Sequence, residues 1–556
     1  MHVREESTEE AAGSLRASVI VPVYNPGPGF DDLIASLDRQ TLPAEEFEVL
    51  LCDDGSDAST RDRLARVARD RPNVRVLSLP HTGWPGTPRN HGIEAARGTY
   101  VFFSDQDDRL YDDALRRMCD FADKNASDVV VGKVVGVGRS IPRRIFRRDI
   151  PRAELGRDPI LELLTPHKLF RLSFLREHGI RFPDGRVRLE DHLFVMRAYF
   201  RASTISVLAR HPCYAWVKRE GSASSSRIDP GTYFPHMVTV LELVAANTPP
   251  GALRDTLLRH WYRGKVLQRI QGRRLIRYPD AYREDFLDVV TPIALDWFGP
   301  GVEDGLAFPL RIRSKLLRAG RRDDLLRFAG IEAGLDCRAE VTNARWTRGG
   351  KLGLDVVARV RHDGREELVF ESPERRSGGA DRRSAVWRIP EPIAPDVLTP
   401  EVLDAGRDLR GDHVHLYLRD PDGTERRIPT RAKKGDALSV TAFLDPLEVF
   451  GGSDPARGGE LVAQVRHAGW MFETPLRADG SVLSPIGASP LLAGPRTDVV
   501  AASDGALELH RRPSATRSRE RIARVTRRVG TTARRILPPG IRRTIRQVLG
   551  SARTPR

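Results

Sequence analysis

The sequence predicts an α/β protein: a Rossmann-like domain on a largely parallel sheet, then a helical region, then one or more β-sandwich modules. Three observations predict it. Apolar runs of strand length alternate with helically spaced segments through the first two hundred residues. Those runs stop abruptly at acidic or Gly/Pro clusters. Beyond Ile331, short alternating segments separated by Asp-Gly turns replace the helical spacing.

Ser18–Tyr24 is a buried strand type, closed by a Pro/Gly turn at Asn25–Gly29. Phe30–Gln40 spaces Leu33, Ile34 and Leu37 as a helix does. Phe47–Cys52 is the second strand and ends at Asp53-Asp54-Gly55-Ser56, where Ser56 is suited to cap the helix Ala58–Arg69. Val74–Leu79, the helix Thr87–Arg97 and the strand Tyr100–Ser104 follow, and the last ends in Asp105-Gln106-Asp107-Asp108. Val129–Val137 is β-rich, Leu189–Arg201 is a helix opening on Glu190-Asp191, and Thr204–Val217 is a strand running into a loop. His236–Ala246, Leu253–Ile276 and Leu316–Phe328 read as helices. Leu352–Arg361, Glu367–Phe370, His413–Leu418, Leu438–Phe443 and Glu460–Val465 read as strands of one large or two small sandwiches. The expected organisation is a tail 1–17, an α/β domain 18–234, a helical linker 235–331, a β region 332–508 and a basic tail 509–556.

With 40% apolar residues, 556 residues suffice for several cores. The four cysteines are widely spaced with no CxxC pair, which argues against a disulfide framework or zinc site and fits a reducing compartment. No apolar run has transmembrane length and the first residues are polar, so a cytoplasmic protein is expected. Arg511–Arg556 holds fifteen Arg against one Glu, so +14 of the net +15 belongs to one appendage. Ile522, Val525 and Val529, then Ile541, Ile545, Val548 and Leu549 after a Pro-Pro-Gly break, give it amphipathic spacing. That pattern favours an anionic membrane surface, with a solvated tail and nucleic acid as the weaker alternatives.

A strand buries Val101–Phe103 readily but not three carboxylates, so Asp105, Asp107 and Asp108 should emerge at its C-terminal end. Open α/β sheets bind ligands there. Crowded hard oxygen ligands suit Mg2+ or Mn2+ bridging to a phosphate. The alternative is an acidic turn in which Asp108 or Asp112 caps the next helix. Asp53–Ser56 also makes a good turn, and Glu190-Asp191 also complements a helix dipole. The loop Gly83–Gly92 sets glycines, Arg89 and Asn90 at a helix N-terminus, where free N–H groups attract anions.

VPVYN at Val21–Asn25, DDGS at Asp53–Ser56, PRNHGI at Pro88–Ile93, SDQDD at Ser104–Asp108 and LEDHLF at Leu189–Phe194 stand in one order. In them the chain resembles the family 2 glycosyltransferases of the GT-A fold, over roughly Ser18–Ser226. The resemblance implies that Pro22, Tyr24 and Asp53 line the donor's base, that Arg89 and Asn90 close the nucleotide pocket, and that Asp105 sits near the ribose or donor sugar. It implies Asp107 as ligand of Mg2+ or Mn2+, Asp191 as the general base of an inverting transfer, and Glu190 as a positioning residue. Spacing alone does not separate the last two. Lys218, Arg219 and Ser222 would close over the diphosphate. Some relatives carry a metal-binding His near there; this chain has Arg219, and His211 lies earlier.

The layout is also similar to the enzymes that glycosylate wall teichoic acids. This implies a nucleotide-sugar donor such as a UDP-sugar, a polyol-phosphate or other glycan acceptor, and association of copies through the β modules at the inner face of the membrane. Arg143, Arg144, Arg147 and Arg148 are basic residues suited to such an acceptor. Two other readings remain. A sugar nucleotidyltransferase would place a Gly-rich basic loop after the first strand, where this chain has Tyr24–Pro28. A non-catalytic binding protein would leave Asp107 and Asp191 without a task.

Overall fold

The computed structural model describes residues 15–219, 227–364, 366–371, 384–390, 392–421, 423–446, 458–483 and 496–512. Ser222 and the amphipathic part of the basic tail lie outside these residues. β1 (Ala17–Val23), β2 (Phe47–Asp53), β3 (Val74–Ser78) and β4 (Tyr100–Phe103) pair in parallel. β1, β2 and β4 are buried almost throughout, as their unbroken apolar runs require. α1 (Gly29–Asp38), α2 (Ala58–Arg69) and α3 (Gly86–Ala95) connect them. The helix α2 is capped by Asp57, which accepts from Thr60 N at 2.7 Å, and not by Ser56. Ser56 is held instead by Asp53 through its N–H and by Asn25 through its hydroxyl.

The other half of the sheet is mixed. β5 (Arg109–Leu110) is followed by α4 (Ala114–Asn125) and β6 (Val129–Val137). β7 (Leu169–Arg171) leads directly into α5 (Leu172–Glu177), then α6 (Glu190–Arg201) and β8 (Ile205–Val217). The order is β3-β2-β1-β4-β7-β6-β8-β5, with β7 antiparallel to β4 and β6, and β5 antiparallel to β8. Only short 3-10 turns separate β6 from β7, so no crossover helix exists to make that pair parallel. The order reverses between β1 and β4, the point where doubly wound sheets open a crevice at their C-terminal ends.

The linker has seven helices: α7 (Pro230–Asn247), α8 (Ala252–Trp261), α9 (Gly272–Ile276), α10 (Asp280–Trp297), α11 (Pro300–Asp304), α12 (Phe308–Arg318) and α13 (Arg322–Ala333). The expected helix Leu253–Ile276 is interrupted by a π-helical turn at Tyr262–Leu267 and restarts at Gly272. Leu316–Phe328 is divided by Gly320, whose φ of +67° ends α12.

β9 (Leu335–Trp346), β10 (Leu352–His362), β11 (Glu366–Glu367), β12 (Phe370–Glu371), β13 (Val386–Trp387), β14 (His413–Arg419) and β15 (Glu425–Ile428) open the β region. β16 (Thr430–Lys433), β17 (Asp436–Leu444), β18 (Gly458–His467), β19 (Trp470–Ala478), β20 (Arg496–Ala501) and β21 (Leu507–Arg512) complete it. All but β12 and β13 join one eleven-stranded sheet, in which a parallel β19–β9 pair connects the two layers of the expected sandwich. The ends of the sheet meet: Thr430 Oγ1 donates to Val414 O at 3.1 Å. Leu354, Val356, Leu416, Leu418, Val440, Leu461 and Val465 share one core, so this is one barrel-like module. A second core runs without a break from the α/β domain through the linker helices to Trp387 and Trp470. At its far end Phe308, Trp387 and Trp470 pack edge to face at 5.4–5.9 Å.

Candidate functional site

The acidic motifs meet because the apolar residues behind them pack together. Phe103 ends β4 two residues before Asp105, and Phe194 follows Asp191 by three; their rings meet edge on at 5.4 Å, and Phe182 stacks on Phe194 at 3.9 Å. This aromatic layer faces Asp105–Asp108 and Glu190-Asp191 toward the same cleft of about 610 Å³ at the β1/β4 switch point. Its walls include Pro22, Tyr24, Asp54, Trp84, Arg89, Gln106, Arg139, His167 and Trp216.

Tyr24 is 46% exposed, stacks on His81 at 4.3 Å, and is clamped through its backbone by the Gln106 amide at 2.8 and 3.2 Å. That leaves a flat aromatic face at the cleft mouth. Pro22 lines the same wall. Asp53 does not. It is buried and accepts from Ser56 N at 3.1 Å, which spends it on the turn. Asp54 reaches the cleft instead, accepting from Thr82 N, Thr82 Oγ1 and Gly83 N at 2.7–2.9 Å.

Arg89 is buried on the first turn of α3, donates to Asp105 Oδ1 at 2.7 Å and lies 3.8 Å from Glu190. Its Nε and Nη1 are buried without a hydrogen-bond partner, so the guanidinium retains donors at the cleft. Asn90 points elsewhere. It exchanges hydrogen bonds with the backbone of Phe182 at 2.9 and 3.0 Å and pins the loop before α6. Arg219 also turns away: it donates to Asp107 O at 3.2 Å, pairs with Asp32 at 3.0 Å and packs on Gly29. Lys218 is exposed and His211 lies on the exposed part of β8.

The five carboxylates of the two motifs differ in environment. Burial opposes the charge on Asp105, but His167 and Arg89 outweigh it and hold Asp105 below its ordinary value. Burial and the charge of Asp105 raise Asp107. Burial and Asp105 push Asp108 up to about 8; its oxygens accept from Tyr214 OH at 2.6 Å and Val217 N at 2.7 Å. Glu190 is pushed up to about 7 by burial and by Asp191, and burial also raises Asp191 although Lys265 of the linker opposes it. Leu189, just before the pair, is held at a φ of +60°, a conformation costly for a branched residue.

His167, beside β7, lies 3.5 Å from Asp105 and stacks on Tyr214 at 4.4 Å; burial lowers it to about 4, so it is neutral. Ligand atoms of Asp105, Asp108 and His167 lie within 4.8 Å of one another. Asp108 is already satisfied by Tyr214 and Val217, so it serves better as support than as a ligand. Asp107 lines the cleft beside Asp105, and the mutual repulsion of these two carboxylates is what a divalent cation relieves. The donor set therefore fits a hard divalent ion held by Asp107 and Asp105. His167, Tyr214, Gln106 and Trp216 were not singled out from the sequence. The one signal for His167 was a His-Lys pair directly before a short apolar strand.

The cleft opens into a larger groove of about 2170 Å³, walled by the α/β domain, the linker and the β module. Trp84, Gln106, Trp216, Glu190 and Asp191 line both. Ten Lys and Arg side chains line the groove against three carboxylates. The π-helical turn at Tyr262–Leu267 brings Arg263 and Lys265 into it, Lys265 facing Asp191 and Arg263 facing Glu162. Of the basic residues expected to meet an acceptor, Arg143, Arg144 and Arg147 line the groove; Arg143 is tied to Glu425 and Glu473 of the β module and Arg144 to Glu162.

The model for "Glycosyl transferase family 2" matches residues 18–191, and that for "Glycosyl transferase TarS linker domain" matches residues 230–329. The poly(ribitol-phosphate) beta-glucosyltransferase of Bacillus spizizenii is 35% identical over 42% of this chain and 37% of its own length. The poly(ribitol-phosphate) beta-N-acetylglucosaminyltransferase TarS of Staphylococcus aureus is 36% identical over 40% of this chain and 39% of its own. The match thus spans about two-fifths of these curated relatives. S. aureus TarS 1–349 in complex with UDP-GlcNAc superposes with a TM-score of 0.51 at 27% identity, covering 61% of this chain and 96% of that one. A longer S. aureus TarS structure, at 19% identity and a TM-score of 0.51, covers 89% of this chain and supports a shared overall fold.

Proposed function

We propose that this chain, which carries a family 2 glycosyl transferase domain and a TarS-type linker domain, is an inverting glycosyltransferase moving a sugar from a UDP-sugar to a hydroxyl of a polyol-phosphate polymer. One observation carries the reading: a carboxylate-lined cleft at the sheet's switch point opens, at Asp191, into a groove with ten cationic side chains. The cleft suits a nucleoside diphosphate and the groove a polyanion.

Tyr24 offers its exposed face to the base, with Pro22 beside it. Arg89 presents its spare donors to the donor sugar or diphosphate and keeps Asp105 ionised. Asp107 and Asp105 would hold a divalent cation, which would supply neutralisation of the charge on the diphosphate leaving group. Asp191 accepts the proton of the attacking hydroxyl, in line with the bond being broken, which gives inversion in one displacement. Glu190, beside Arg89, positions the sugar, and its charge raises the basicity of Asp191. Lys265 and Arg263 hold the acceptor's phosphates on the far side of Asp191.

None of the helices among the described residues is long and apolar enough to cross a membrane. We assign the enzyme to the cytoplasmic side of the envelope, its basic tail meeting anionic lipid and its β module joining copies of the chain. The test is to assay purified protein with Mn2+ against a panel of nucleotide sugars and polyol-phosphate acceptors. Metal-dependent donor binding and transfer to the polymer are expected. Failure of every donor to bind, with or without metal, overturns the reading. Deleting Arg511–Arg556 should abolish co-sedimentation with anionic liposomes, and undiminished binding removes the tail from that role.

A further inference from the structure

Strand β14 alternates: Val414, Leu416 and Leu418 enter the β-module core, which turns His413, His415, Tyr417 and Arg419 outward. Tyr417 and Arg419 face the segment after β6 across a cavity of about 410 Å³. Lys133, Arg139, Arg143, Arg147, Arg419 and Arg427 line it against two acids, Glu425 and Glu473. Both acids are engaged by Arg143 and by Arg419. Arg147 and Arg427 are exposed and, among the described residues, pair with no carboxylate. They converge on opposite nitrogens of one ring: Arg147 lies 3.4 Å from His415 Nε2 and Arg427 lies 3.2 Å from His415 Nδ1. The His413 ring lies 4.2 Å from that of His415.

A neutral imidazole has one N–H and one lone pair, so one of these two contacts sets donor against donor. Protonating the ring would give two such contacts, and burial with the surrounding cations already pushes His415 down to about 3. Two guanidinium forks on a ring that satisfies only one of them, in a cavity with four cations in excess, are relieved by an oxyanion accepting from both.

We propose that this junction is an anion subsite in which Arg147 and Arg427 clamp one phosphodiester group of the polymeric acceptor. The assignment of the anion to the acceptor rests on the polyol-phosphate reading above. The cavity shares Pro142, Arg143 and Arg147 with the groove that reaches Asp191, so a polymer lying in the groove passes this point.

The test uses the full chain, as wild type, Arg147→Ala/Arg427→Ala and Arg427→Lys, because both side chains are exposed and their removal spares the core. Inorganic phosphate is titrated while the His415 ring resonances, assigned with His415→Asn, are followed by NMR. A saturable shift is expected in wild type, lost in the double variant and partly kept in Arg427→Lys. No saturable shift in wild type overturns the subsite. Kinetics then separate the sources of the anion. The double variant should raise KM for a polyol-phosphate polymer on the order of tenfold, leaving KM for the donor and for a single-repeat acceptor unchanged. Loss of the phosphate shift with an unmoved polymer KM overturns the acceptor assignment. If no polyol phosphate accepts sugar at all, the functional reading falls, and the phosphate titration still decides the subsite.

Discussion

The cleft and the groove are built from opposite charge and in opposite ways. The cleft gathers six carboxylates against two arginines, and the groove ten cations against three carboxylates. The cleft takes its chemistry from short motifs at strand ends and one helix start, all within the α/β domain. The groove is assembled from Arg143, Lys265 and Arg466, one from each of three regions far apart in sequence. Reaction chemistry needs a few groups fixed to fractions of an ångström, which one sheet edge provides. Holding a long polyanion needs spread-out charge, which several regions supply.

Asp191 stands where the two meet, and its variant should have the largest effect. Asp191→Asn should lower kcat by about a thousandfold while donor affinity stays within about twofold. Equal loss of donor binding, read by calorimetry, would move Asp191 from the reaction to the binding side of the comparison. Asp107→Ala should cost at least about a hundredfold in kcat, with a weakened response of donor binding to Mn2+. An unchanged metal titration removes Asp107 as ligand. Lys265→Ala removes a groove cation that also opposes the raising of Asp191: acceptor KM should rise about tenfold, and the salt dependence of that KM should flatten. A rise in donor KM instead would erase the division between the two spaces.

The smallest expected effect is a shift along the pH axis. Both Glu190 and Asp191 are raised by burial, and the base acts ionised, so transfer should climb with pH along a limb above the ordinary carboxylate range and be lost below it. Glu190→Gln removes the neighbouring negative charge, so the limb should move to lower pH by about one unit. A limb that stays in place means the pair is not coupled through charge.

The carboxylate motifs were legible because burying an unpaired acid is expensive, so an apolar run that ends in acids marks a strand end at the surface. Which acid does what was less legible. Asp53 and Asp54 are neighbours in sequence, but the tight turn consumes the first and presents the second. Asn90 sits in a motif with Arg89, yet one helix position further round it meets the Phe182 backbone rather than the cleft. Arg219 finds Asp32 on α1, a partner 187 residues away that no local pattern announces. β7 is three residues long, too short for an alternation to register, and it carried His167 out of view with it. In the β region, β9 was missed although Leu335, Cys337, Ala339 and Val341 alternate with Asp336, Arg338 and Glu340 as a half-buried strand does. The groove was illegible for a further reason: its walls are neighbours only after the linker has folded onto both other regions.

The unbroken core from β1 to Trp470 sets how these regions share their fate. A chain whose α/β domain and linker have no apolar seam between them should melt in a single calorimetric transition and resist exchange of the linker as a cassette. Under the proposed function, acceptor preference at residues such as Lys265 is therefore inherited together with the groups of the cleft rather than grafted onto them.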